Sequence, residues 1–456
     1  MSNLIKLTNA RLAIGDNLVP GALWVDPVLG VFVSPPNNPA PSMSTIDLQN
    51  RIVAPGFLDL QINGAYGFDF SEDTTAYNAG ESYDERLREV RRKLIATGTT
   101  SFLPTMTSQL PDRYHQNLPF LGPSRSRDPF DGTESLGAHC EGPFFANNRM
   151  GVHLPDAILA TGSTSEPEKV FETYGAVNLI KLEGISSKKQ CGSIPSHVRM
   201  ITLAPERPGA LDTIRKLSTQ GITMSIGHMA ASYAQSQSGI DAGATMITHL
   251  YNQMNGHHHR EPGPLGLLSG VLDINPRNET KILDVDCTTG SNSRPYFGII
   301  ADGSHVHPAS VRLAHSMHPD GLVLVTDALL LLGGEDGTID WLTRRLTKKG
   351  VSVKLEGTDI IAGRLVALLL SGSCCLNNFR RWTGVSIPVA LQAITSRPAA
   401  VLGLESVKGT LQEGADADFV VLDEKNVSGQ STTEIAVDQV WKFGVKVIDS
   451  SSDKTG

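Results

Sequence analysis

Three times in this chain a glycine closes one segment and a short apolar run begins at once. The runs are Gly221-Ile222-Thr223-Met224-Ser225, Gly243-Ala244-Thr245-Met246-Ile247 and Gly321-Leu322-Val323-Leu324-Val325. A short apolar run behind such a stop reads as a buried strand. The glycine is the expected end of the preceding helix, because it enters the left-handed conformation without a Cβ penalty. Asp84 to Ala96 (DERLREVRRKLIA) supplies such a helix, with a charged face and a Leu87/Val90/Leu94 stripe. Gly98 stops it and Thr99-Thr100-Ser101-Phe102-Leu103 follows as a strand. Alternation of this kind from about residue 55 to 400 predicts an α/β fold, a (β/α)8 barrel with insertions. A doubly wound sheet is the competitor, but no GxGxxG follows the first strand and no GxxxxGK[ST] occurs.

The two ends of the chain follow a different grammar. Residues 1–54 alternate apolar and polar in short runs (Leu4-Ile5-Lys6-Leu7, Leu23-Trp24-Val25), broken by SPPNNPAPS. Residues 401–456 do the same, with Asp418-Phe419-Val420-Val421-Leu422 and Gln439-Val440-Trp441-Lys442-Phe443 as strands. Neither end is large enough for its own core, so the two are expected to pair into one small β domain flanking a barrel over 55–400.

Charge and cysteine content narrow the function. Lys+Arg 39 against Asp+Glu 47 gives a net charge of −8 with no long basic block, so a nucleic-acid partner is not expected. No apolar run reaches the roughly 18 residues of a membrane helix, and MSNLIKLTNARLAIGDN lacks the apolar stretch of a signal peptide. Cys140, Cys191, Cys287, Cys374 and Cys375 are odd in number and form no CxxC. A reducing, cytoplasmic location is the expectation.

The strands run straight into polar residues. Glu141 follows His139-Cys140, His228 follows Ser225-Ile226-Gly227, His249 follows Thr248, and Asp327 follows Val325-Thr326. In a barrel of this kind catalytic residues sit at the C-terminal strand ends. A Glu and two imidazoles leave the fourth tetrahedral position of a Zn²⁺ open for water, and the ion lowers that water's pKa. The remaining Asp is placed to take the water's proton and pass it to a leaving nitrogen. One such residue alone is more often a satisfied polar side chain than a ligand; four at successive strand ends favour the site. His139 competes with Glu141, since residues two apart share a strand face. The adjacent His257-His258-His259 read as loop polarity or substrate lining.

Longer motifs carry a resemblance. They are Pro55-Gly56-Phe57-Leu58-Asp59-Leu60-Gln61-Ile62-Asn63-Gly64, HCEGPFF, ITHLYNQM, HHHREPGPLGLL, Gly298-Ile299-Ile300-Ala301-Asp302-Gly303-Ser304-His305-Val306, LVTDA and KGTLQEGADADFVVLD. Together they span nearly the whole chain, which resembles the N-acetylglucosamine-6-phosphate deacetylases of the amidohydrolase superfamily, especially the eukaryotic type. The resemblance implies a barrel with a β-sandwich made from both chain ends and hydrolysis of N-acetyl-D-glucosamine 6-phosphate in amino-sugar catabolism. It implies one divalent metal, Zn²⁺ first, held by Glu141, His228 and His249. Most amidohydrolases carry His-x-His at the first strand end; Gln61 and Asn63 stand there, and neutral amides are poor Zn²⁺ ligands.

By the same resemblance Asp327 and His153 are catalytic, His153 polarising the acetyl carbonyl beside Val152. Asn252 and Gln253 meet the sugar phosphate through backbone N–H groups, and Arg260 and His305 through side chains. Ile361, Ala362 and Gly363 match the substrate-contacting turn, with Leu370-Ser371-Gly372-Ser373 as a second candidate. In relatives the Arg reaches across a subunit interface, which implies a homodimer. The chain departs from the family at Met229, in place of a small hydroxyl residue, at Arg364, and over the longer, more apolar 365–376. The alternatives are an amidohydrolase acting on a cyclic amide and a catalytically dead sugar-phosphate-binding relative.

Overall fold

The computed structural model describes residues 4–37, 44–75, 81–180, 196–270, 272–274, 280–282, 294–341, 344–350, 352–356, 361–364, 374–426 and 433–450. The second candidate turn, 370–373, lies outside them. Eight strands lie side by side in chain order: Phe57–Ile62, Thr99–Met106, Ala138–Glu141, Val198–Leu203, Thr223–Ile226, Met246–Ile247, Tyr296–Ile299 and Leu322–Leu324. Every neighbouring pair is parallel. The ring closes by the bridge Ile62↔Ala328, with Asp327 N–H donating to Gln61 O and Asn63 N–H to Ala328 O, both at 2.8 Å. The expected (β/α)8 barrel is therefore present. Its strands are buried along almost their whole length because helices cover the outside and side chains fill the inside.

The helix Tyr83–Leu94 shows how local chemistry makes a unit. Ser82 caps it by accepting from Glu85 N–H, acidic residues fill its first turn and basic ones its last. Leu87, Val90 and Leu94 are buried on one face, each contributing about 1.5–3 kcal/mol. Gly98 then turns the chain at φ 86° into the second strand.

The chain ends build one seven-stranded sheet, in which Ile5–Ile14 pairs parallel with Ser44–Pro55, and Ser44–Pro55 pairs antiparallel with Phe419–Lys425. Leu7, Val25, Phe32, Val53, Phe419, Val421 and Trp441 form its own apolar core, giving the small sandwich domain. A four-stranded antiparallel excursion, Gly337–Trp341, Arg344–Lys349, Ser352–Leu355 and Ile361–Arg364, follows the eighth barrel strand. The Trp341 indole N–H donates to Asp69 and so fastens it to the loop after the first strand. Among the described residues no helix is long and apolar enough to cross a membrane.

Candidate active site

The C-terminal strand ends converge on a tight polar cluster. Glu141 ends the third strand, and His228, His249 and Asp327 lie just past the fifth, sixth and eighth. His249 Nε2 lies 2.9 Å from Glu141 Oε1, His228 Nε2 lies 3.4 Å from the same oxygen, and the two Nε2 atoms are 3.0 Å apart. His153 Nε2 approaches Glu141 Oε2 at 3.6 Å. Gln61 Nε2 donates to Glu141 Oε1 at 2.7 Å and to Asp327 Oδ1 at 3.1 Å, and Asn63 Nδ2 donates to Asp327 Oδ1 at 2.6 Å.

The protonation pattern follows from these contacts. Burial alone would raise the Glu141 carboxyl, but the surrounding His228, His249 and His153 rings outweigh it and hold it well below the usual range. Burial lowers His228; His249 is raised because the Glu141 carboxylate overcomes the same penalty. Asp327 is raised by burial and then by the Glu141 charge. His228 Nδ1 lies 2.7 Å from the Arg149 carbonyl. A carbonyl only accepts, so Nδ1 carries the proton and Nε2 is left as a lone pair aimed at Glu141 and His249. Two facing imidazole nitrogens at 3.0 Å need a proton or a cation between them.

A divalent ion fits this donor set. Metal–ligand distances of about 2.0–2.2 Å in a tetrahedron put ligand atoms about 3.3 Å apart. The three edges observed, 2.9, 3.0 and 3.4 Å, are close to that. The second position of a two-metal amidohydrolase is taken by the Gln61 and Asn63 amides, which donate to the carboxylates rather than offering lone pairs to an ion.

His153 is set up differently. Ser108 N–H donates to its Nδ1 at 3.0 Å, with Ser108 Oγ at 2.9 Å. Nδ1 is therefore an acceptor and Nε2 carries the proton. Burial, reinforced by the neighbouring His228, pushes its pKa down to about 3. The ring is thus a neutral donor pointing at the cluster, and Phe145 braces the site by stacking on His228 at 4.0 Å. Gly142, at φ 82°, makes the turn after Glu141 possible: a Cβ there would lie 2.3 Å from Ser108 Oγ and 2.7 Å from the Phe145 ring.

The competition between His139 and Glu141 resolves by depth. Both face the barrel interior, but His139 lies lower, with Nε2 2.8 Å from Thr202 Oγ1 and its pKa pushed by burial to about 4. Thr202, Ser225 and Thr248 hydroxyls, linked at 2.6–2.7 Å, complete this layer under the site. His257, His258, His259 and Arg260 are exposed in their loop. His305 is nearer the chemistry: its Nδ1 is 2.8 Å from Asp302 Oδ2. Asn252 N–H already donates to His249 O at 3.0 Å, and Gln253 O accepts from Met229 N–H at 3.0 Å. Val152 is partly buried against the core, and Met229 is fully buried in it. Ile361, Ala362 and Gly363 form the last strand of the four-stranded excursion, Gly363 opposite Val353.

Some features had no local signal in the sequence. His228, His249, Tyr251, Gln253 and Asp327 all have positive φ, between 28° and 79°. Such conformations cost about 1–3 kcal/mol each in non-glycine residues and gather where function requires them. Ser108 as the anchor of His153 was equally invisible; Gln61 and Asn63 were singled out by the family resemblance.

A barrel with a Glu/His₂ cluster and a free Asp at its strand ends defines a metal-dependent amidohydrolase, and residues 344–448 match the Amidohydrolase family. An N-acetylglucosamine-6-phosphate deacetylase of Danio rerio is 37% identical over 398 residues, 87% of this chain and 86% of its own length. The crystal structure of N-acetylglucosamine-6-phosphate deacetylase from Pasteurella multocida shares the fold with a TM-score of 0.73 at 23% identity, over 97% of this chain and 99% of that one. A mutant deacetylase from Mycobacterium smegmatis, solved in complex with N-acetyl-D-glucosamine-6-phosphate, gives 0.69 at 26% identity, over 98% and 99%. The chain belongs to the N-acetylglucosamine-6-phosphate deacetylase family.

Proposed function

We propose that the chain hydrolyses N-acetyl-D-glucosamine 6-phosphate to D-glucosamine 6-phosphate and acetate, a step of amino-sugar catabolism. The observation that carries this reading is the convergence of Glu141, His228 and His249 beside an Asp327 carboxyl held by the Gln61 and Asn63 amides and a neutral His153. A complete set of this kind argues against a relative that has lost its chemistry. One divalent ion per subunit, Zn²⁺ by the chemistry of two imidazoles and a carboxylate, would be held by Glu141, His228 and His249, and when bound it supplies an acidified water and a positive charge beside the acyl oxygen.

Asp327 takes the attacking water's proton and returns it to the departing nitrogen. Its raised carboxyl suits that exchange better than an ordinary aspartate would. His153 donates its Nε2–H to the acyl oxygen as negative charge grows there, and being neutral it adds no charge beforehand. Arg260 and His305 take the phosphate; the guanidinium offers a planar, permanently charged fork. The backbone at Asn252 and Gln253 also meets the phosphate, Val152 contacts the substrate beside His153, and Ile361, Ala362 and Gly363 lie on the acetamide side. The exposure of Arg260 on its loop supports a homodimer in which it reaches a neighbouring subunit's substrate. The odd cysteine count supports a reducing cytoplasmic setting.

The test is acetate release by purified, zinc-supplied protein, comparing N-acetylglucosamine 6-phosphate with the unphosphorylated sugar. The expected result is release that depends strongly on the phosphate. No release from either sugar overturns the reading.

A further inference from the structure

Asn63 lies at the end of the first barrel strand and is 3% exposed. Its backbone is held on both sides, N–H to Ala328 O at 2.8 Å and carbonyl from Phe70 N–H at 3.0 Å. Its side-chain Nδ2 donates to Asp327 Oδ1 at 2.6 Å. A carboxylate only accepts, so this bond dictates which way the amide faces. The amide oxygen points elsewhere, and among the described residues it has no hydrogen-bond partner. The two polar atoms of one amide are about 2.3 Å apart, so this oxygen lies within about 5 Å of Asp327 Oδ1. Folded proteins seldom leave a buried acceptor unpaired, and beside a reacting group such an exception is accounted for by a water, an ion or a part in the chemistry.

We propose that this donor is the N–H of the substrate's acetamido group and that Asn63 is a catalytic residue for the bond-breaking half of the reaction. The inference rests on the deacetylase reading and deepens it. Asn63 then touches the two partners of one proton transfer: Nδ2–H holds the Asp327 carboxyl, and Oδ1 accepts from the nitrogen that Asp327 protonates. With its N–H directed at Asn63, the nitrogen of the water adduct presents its lone pair to the Asp327 carboxyl. The proton passes from Asp327 to that lone pair, and the C–N bond breaks with its electron pair remaining on nitrogen. One amide and one water become acetic acid and the free amine, the acid's proton then passing to the amine to leave acetate and the ammonium form, and no further reactant is needed. The arrangement also selects amides over esters, since an ester oxygen has no proton to give Asn63.

The experiment compares the full-length wild-type chain with Asn63→Ala on two substrates: N-acetylglucosamine 6-phosphate, and 2-O-acetylglucose 6-phosphate, in which an ester oxygen replaces N–H. The expected result is a kcat that falls on both substrates, because Asp327 loses its Asn63 partner, but falls about 10–100-fold further for the amide, the loss typical of a buried polar group left unpaired. Equal losses on both substrates would mean that Asn63 acts only by holding Asp327, and would overturn the inference. No loss on either would overturn it as well. A wild-type chain that releases no acetate from the amide sinks the deacetylase reading and this inference with it, whereas an active wild type with equal losses sinks the inference alone. Should Asn63→Ala not fold, the wild-type kcat ratio between the amide and its N-methyl analogue, which lacks the N–H, decides: a ratio near one overturns the proposal.

Discussion

Two buried clusters of charge lie in this molecule, and they are built on opposite principles. At the joint between barrel and sandwich, Lys408 Nζ lies 2.5 Å from Glu134, 2.8 Å from Asp416 and 2.7 Å from Asp418. Lys442 Nζ adds contacts of 2.8 Å to Glu134 and 2.7 Å to Asp418, and Arg127 meets Asp416 at 2.8 Å. Three carboxylates thus face three permanent cations, all from the chain itself. Burial works against charged Lys408, yet the surrounding carboxylates hold it well above its usual value. The oxygens of Glu134, Asp416 and Asp418 come close enough together to hold an ion, but lysine ammonium groups already fill that place.

At the barrel mouth the accounting is left open. Glu141 and Asp327 are opposed by amides, by His153 held neutral and by imidazoles whose Nε2 atoms face one another. The first cluster is complete and serves as a fixed joint. The second is incomplete and accepts a cation and a substrate. The difference lies in whether the counter-charge is a permanent one carried by the chain.

The contrast breaks most sharply at Asp327. Asp327→Asn keeps the shape but cannot carry the proton, and kcat should fall by about 10²–10⁴-fold. Metal content and thermal stability should stay near wild type; near-normal turnover would sink the assignment. At the joint the expectation inverts. Lys442→Met strands buried carboxylates and should cost about 3–5 kcal/mol of stability, read by chemical denaturation, while kcat per folded molecule stays unchanged. A fall in kcat with stability intact would show that the two clusters are not independent.

Arg260→Ala should weaken phosphate recognition by about 10–100-fold in KM, the loss of a charge-assisted pair, with kcat moved less. A matching loss on the unphosphorylated sugar would argue for a fold defect instead. The smallest effect is on stability against pH. Glu134 and Asp418 are lowered: burial raises them, but Lys408 and Lys442 prevail. Their contribution is present above the ordinary carboxylate range and is lost as pH falls through their folded values. Asp59, which supports Thr326 beneath Asp327, is raised by burial to about 7. Its contribution is present below about pH 4, the unfolded value, and is lost as pH rises through about 7. Unfolding free energy should therefore fall on both sides. Asp59→Asn should flatten only the neutral side and Lys442→Met only the acid side.

Much of this was legible in the chain. The glycine-then-strand pattern marked barrel strands that the structure places at Thr99–Met106, Thr223–Ile226, Met246–Ile247 and Leu322–Leu324. Local periodicity sufficed because each strand and helix is stabilised first by its own apolar face. The strand-and-turn ends were legible for the same reason. Glu141, His228, His249 and Asp327 stood out because polar residues that end apolar strands are rare unless something holds them.

Other matters lay beyond local pattern. Nothing near Ser108 announces that it fixes the tautomer of His153, 45 residues away. The positive φ at His228, His249 and Asp327 is imposed by convergence, not by those residues' own preference. His139 and Glu141 share a face, so only their depth in the barrel separates a hydroxyl-bound histidine from a cluster member.

By itself, then, the sequence determined the order of strands and helices, the pairing of the two ends and the short roll of residues at the barrel mouth, because those follow from periodicity and turn chemistry along a few residues. Only the tertiary structure decided which nitrogens carry protons, which histidines turn inward and which acidic cluster is already neutralised. Those properties belong to contacts between distant segments. Asn63 and Asp327 are 264 residues apart and meet because the first and eighth strands close the ring; a single step in that register would separate them.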